Sequence, residues 1–118
     1  MTKDKLISYC MKKPGAWDDL PFDETTLVIK VGKKMFALTS EDEPARVNLK
    51  CEPMNAIILR QKYAAVTSGY HMNKKHWNTV ILNETIPDDE IKLMIDNSYK
   101  LVYDSLTKKE RVKISKEL

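Results

Sequence analysis

Between Pro87 and Leu106 the apolar positions recur at intervals of three and four. Ile91, Met94, Ile95, Ser98, Tyr99, Val102, Tyr103 and Leu106 form one stripe over several turns, the mark of a long amphipathic helix. Asp88, Asp89 and Glu90 fall in its first turn, where negative charge complements the helix dipole. A shorter stripe of Leu6, Ile7, Cys10 and Met11 predicts a first helix over Thr2 to Lys13, stopped by Pro14-Gly15. Pro53 suits a helix start and predicts a helix over Met54 to Tyr63, with Ile57, Ile58, Arg60 and Lys62 in an amphipathic arrangement. Thr107 and Glu110 match a capping box for a short basic final helix.

The remaining pattern has the period of strands. Leu27 to Val31 and Lys34 to Thr39 flank Gly32-Lys33, a pair suited to a type II′ hairpin turn. A two-residue hairpin sets Val31 opposite Lys34, Ile29 opposite Phe36 and Leu27 opposite Leu38, with Val28, Lys30, Met35 and Ala37 on the other face. Arg46 to Cys51 alternates Val47, Leu49 and Cys51 against Arg46, Asn48 and Lys50, so Lys30, Arg46 and Lys50 gather on a second, open and basic face. His76 to Asn83 is a further strand with apolar side chains on both faces. Ala16 to Glu24 reads as a loop with apolar anchors, and Ala64 to Lys75 as the connection between a helix and a strand. Together these elements predict one α+β domain over 1–118, an antiparallel sheet with helices packed on one face.

Charge matters here through its placement. Twenty Lys and Arg against seventeen Asp and Glu leave a net charge of only +3, yet no carboxylate occurs between Glu52 and Glu84. Within that span lie Arg60, Lys62, Lys74 and Lys75, and the stretch from Gly69 to Asn78 adds both histidines, a tyrosine and a tryptophan. Cys10 and Cys51 sit in apolar-periodic segments without metal-ligand or redox spacing, and read as reduced core residues. The N-terminal residues have no signal-peptide core and no run reaches membrane-spanning length, so the expectation is a cytoplasmic protein with no membrane contact.

The ordered blocks Pro21-Phe22, Lys30-Val31, Lys34 to Leu38, Leu49-Lys50-Cys51 with Pro53, Gly69 to Asn78 and Ser98-Tyr99 resemble the MmcQ/YjbR family of small bacterial proteins. Asp23 stands where a glycine often follows Pro-Phe in that family, and the tail from Thr107 runs on. The resemblance implies a frataxin-like (CyaY-like) two-layer sandwich and a role in DNA binding through paired β-hairpin wings. On this reading the phosphate-contacting candidates are Lys33 and Lys34 at the first hairpin, Lys74, Lys75 and His76 in the central stretch, and Lys30 and Lys50 on the sheet face.

The alternative is a non-catalytic module that holds a protein or small ligand in a pocket of Tyr70, His71, His76 and Trp77. Two histidines without neighbouring carboxylates or thiols do not supply a metal site, and no motif for an activated nucleophile accompanies Cys51. No cofactor, no metal and no catalytic residue is expected, and the assembly expected is a monomer or weak homodimer.

Overall fold

A computed structural model describes residues 1–69 and 72–116. Its elements run α1 (Lys3–Met11), β1 (Ala16–Asp19), β2 (Val28–Val31), β3 (Lys34–Thr39), β4 (Arg46–Lys50), α2 (Pro53–Lys62), β5 (Val66–Ser68), β6 (Trp77–Ile81), α3 (Asp88–Ser105) and α4 (Lys108–Lys116). The strands form one antiparallel six-stranded sheet in the order β1-β2-β3-β4-β6-β5. α3 lies across β2, β3 and β4, while α2 packs on β5 and β6 and α1 on β1. This is the expected α+β architecture.

Side-chain caps fix two helix starts, the second at Thr107 as the sequence suggests. Thr2 Oγ1 accepts from the Lys5 amide at 3.2 Å, and Thr107 Oγ1 from the Glu110 amide at 3.2 Å, each satisfying a donor that the helix leaves free. The core gathers Leu6 and Cys10 of α1, the inward residues of the sheet and the α3 stripe of Ile91, Met94, Ile95 and Val102. Burial, opposed by Lys13 and aided by Asp96, pushes the Cys10 thiol up to about 12, as befits a packing residue.

The first hairpin departs from the expected register. Gly32 takes φ +60°, as the first turn position of type II′ requires, and Val31 pairs with Lys34. Beyond that, Lys30 pairs with Met35 but Ile29 pairs with Ala37, so Phe36 is an extra residue in β3. The bulge lets Phe36 and Ala37 both reach the core, fully buried with Ile29. Leu38, expected beside Ile29 and Phe36, instead pairs with Val28 and with Asn48 on the opposite face.

Ser98 stands over this bulge. Its hydroxyl donates to the Phe36 carbonyl at 2.6 Å and accepts from the Lys50 amide at 2.8 Å, joining β3 and β4 beyond the last pair of their ladder, Ala37 with Leu49. A serine in an otherwise apolar stripe is thereby explained: it satisfies two backbone groups that would be buried without partners. The adjacent Tyr99 sets its ring edge-on to Phe36 at 5.3 Å between centroids.

Three further expectations change. Residues 16–19 are a strand, because β1 pairs along the free edge of β2, with Trp17 opposite Lys30. The 64–75 connection contains β5, which pairs with β6 and makes a second hairpin. α2 seats on the sheet through Ala56 and Leu59, leaving Met54, Ile57 and Ile58 exposed instead of in a buried stripe.

Candidate functional site

Antiparallel pairing decides which turns share an end of the sheet. The Gly32-Lys33 turn joins β2 to β3, and β4 returns to that end because Leu49 lies opposite Ala37. Lys50 then pairs with Trp77, and Ser68 with Asn78, so the segment joining β5 to β6 emerges there as well. Both hairpins therefore turn at one end of the sheet, with the end of β4 between them. Three inter-strand spacings separate their midlines, or about 14 Å at ~4.8 Å per strand.

The seven basic candidates are not equivalent at this end. Lys33, Lys74, Lys75 and His76 are exposed, and none makes a side-chain hydrogen bond or ion pair among the described residues. Lys50 is half-buried and likewise without an ion pair among them. Lys30 is committed to Asp19 Oδ2 at 2.9 Å and lies 5.0 Å from the Trp17 ring centre, so part of its charge is already matched. Lys34 Nζ reaches the Ser105 carbonyl at 3.2 Å and hydroxyl at 3.1 Å, holding the C-terminal end of α3. The expected open basic face is thus narrower in charge than the alternation of β2 and β4 suggests.

Nor is that face fully open. Val28, Asn48, Trp77 and Thr79 project from it and are buried, with Thr79 Oγ1 and Asn48 Oδ1 at 2.6 Å. Trp77 lines a groove with Lys30, Lys33, Lys34 and Lys50, whereas the preceding His76 is exposed. Tyr70 and His71, which complete the alternative pocket, lie outside the described residues.

What holds the second turn was not apparent from local sequence. Arg60 of α2 reaches across: its Nε donates to Asn78 Oδ1 at 2.7 Å, and its Nη2 donates to the Lys74 carbonyl and to the Trp77 carbonyl at 3.3 Å. A residue that reads as one more positive charge is a tether for the segment carrying Lys74 and Lys75. Asn73 Oδ1 accepts the Lys75 amide at 3.0 Å, adding a local turn bond. Gly69 permits the strand's close approach at the other end, since a Cβ there would stand 2.8 Å from that of Trp77.

Replacing Arg60 with Met keeps the stem and removes all three bonds. The expected result is a loss of about 1.5–3 kcal/mol, the scale of hydrogen bonds to a charged group. Hydrogen exchange should accelerate at the Gly69 and Trp77 amides while the α3 amides keep their protection. Unchanged exchange at Gly69 and Trp77 would mean that the guanidinium does not hold this turn.

For acid–base or nucleophilic chemistry the surroundings offer little. Burial pushes the Cys51 thiol up and away from thiolate, outweighing the hydrogen bond from Asn55 that opposes it. No helix is long and apolar enough to cross a membrane among the described residues.

Comparison with known proteins places this arrangement. The chain is 40% identical over 113 residues to the protein YjbR of Escherichia coli, covering 94% of this chain and 95% of the relative. It is 27% identical over 116 residues to YyaQ of Bacillus subtilis, covering 86% and 98%. A crystal structure of the Deinococcus radiodurans protein DR2400 superposes with a TM-score of 0.90 at 40% identity, over 97% of this chain and 88% of that one. A crystal structure of a Pseudomonas syringae protein gives 0.76 at 28% identity, over 86% and 99%. The YjbR family model matches residues 11–101, a span that takes in the bulge, the Ser98 bridge, the Arg60 tether and both turns, and the chain belongs to the YjbR family.

Proposed function

We propose that the protein binds DNA through phosphate contacts from the two hairpin turns. The observation that carries this reading is the shared end: Lys33 on one turn and Lys74, Lys75 and His76 on the other are exposed and unpaired among the described residues, on either side of Lys50. Turns about 14 Å apart match the span of a duplex major groove, roughly 12 Å wide, so each can reach phosphates on its own side. Contacts of this kind fix position on the duplex without reading base edges.

The test is fluorescence anisotropy of a labelled duplex against the full chain at two salt concentrations. Four phosphate contacts predict about a hundredfold weaker binding on going from ~50 to ~200 mM salt. The Lys74→Glu, Lys75→Glu variant should lose at least tenfold in affinity. Lys3→Glu, Lys5→Glu should change it far less, because Lys3 pairs with Glu41 of the β3–β4 loop at the opposite end of the sheet. Equal losses in the two variants would reduce the effect to net charge, and absence of binding at low salt would overturn the reading.

A further inference from the structure

The face of the sheet turned away from α3 carries a cavity of about 680 Å³, within the range of sites for small molecules. Met35 and Leu38 of β3, with Asn48 and Thr79 behind them, make its floor, and Phe22 and Met72 from two loops flank it. Phe22 is 66% exposed, an aromatic ring held at the surface with little of its area buried. The floor is polar only at Asn48 and Thr79, which already satisfy one another at 2.6 Å.

Charge enters this cavity at one end. Asp42, in the β3–β4 loop, and Arg46, four residues on at the start of β4, both line it. Neither forms an ion pair among the described residues, and they do not pair with each other. Ser40, on the same loop, also lines the cavity, and its Oγ is shielded from solvent without a hydrogen-bond partner among the described residues. Such an orphan costs about 1–3 kcal/mol, and rotation about a single bond is enough to offer it to an occupant.

We propose that this cavity binds a free α-amino acid with a large apolar side chain. A guanidinium suits a carboxylate bidentately, and Asp42, lining the same cavity, suits an ammonium. Both groups of a zwitterionic head are then met at the β3–β4 loop end, while the side chain lies along Met35 and Leu38 under Phe22 and Met72. A simple carboxylic acid would face Asp42 unmatched and a simple amine would face Arg46 unmatched, so either loses a charge contact and gains a like-charge neighbour. The site is separate from the hairpin lysines and stands or falls independently of DNA binding.

Calorimetric titration of the full chain with L-tryptophan tests it, beside indole-3-propionate, which lacks the ammonium, and tryptamine, which lacks the carboxylate. Binding of L-tryptophan with each analogue at least tenfold weaker is the expected result. Arg46→Gln and Asp42→Asn, both at exposed positions, should each weaken L-tryptophan at least tenfold without lowering the melting temperature. Leu38→Trp, which fills the floor, should abolish it. No heat with L-tryptophan at millimolar concentration overturns the proposal, as does indole-3-propionate binding equally well or Asp42→Asn leaving affinity unchanged.

Discussion

Phe36→Ala should cost about 3–5 kcal/mol in equilibrium urea unfolding, the range for deleting a fully buried aromatic ring. The ring has no exposed surface, and it faces the core beside Ile29, with Ala37 turned inward next to it by the bulge. Its removal also ends the edge-on contact with Tyr99, whose hydroxyl donates to the Pro14 carbonyl at 2.6 Å and so connects α3 to the turn after α1. Partial collapse around the vacancy sets where in the range the value falls. A loss under about 1 kcal/mol would mean that this side chain is not packed in the core.

Ser98→Ala is expected to cost about 2–4 kcal/mol, although it removes a single oxygen. Two backbone groups lose their partner, the Phe36 C=O where it is buried and the Lys50 N–H where it is partly buried. Each carries a desolvation penalty of about 1–3 kcal/mol when left unmade. Ser8→Ala on the exposed side of α1 serves as the reference and should stay within about 0.5 kcal/mol of the parent. Denaturant unfolding of both variants decides the matter, and equal stabilities would deny the bridge any role.

Period and punctuation made most of the fold legible. The α3 stripe, the Thr107 cap and the Gly32-Lys33 turn all lie where local chemistry points, because each depends on neighbours a few residues away. The bulge was hidden for a physical reason: Phe36 and Ala37 are both apolar, so either register presents a hydrophobic residue to the core and alternation cannot choose between them. β1 was hidden because Ala16–Asp19 has no alternation of its own and owes its strand conformation to the free edge of β2. In the candidate site, the lysines were visible but their partners were not. Asp19 for Lys30, Ser105 for Lys34 and the Lys74 carbonyl for Arg60 are brought up by tertiary structure from remote positions.

The order of the strands also limits how copies of this chain meet. Its outer strands are β1, of four residues, and β5, of three, so neither rim offers a long row of unpaired backbone groups. Asp18 and Asp19 place carboxylates along the first rim, where a second identical rim would bring like charges together. Short rims, one of them charged, resist the edge-to-edge stacking by which open sheets aggregate. Growth by strand addition is thereby discouraged at both margins, and the surfaces left for recognition are the turns and the sheet face turned away from α3.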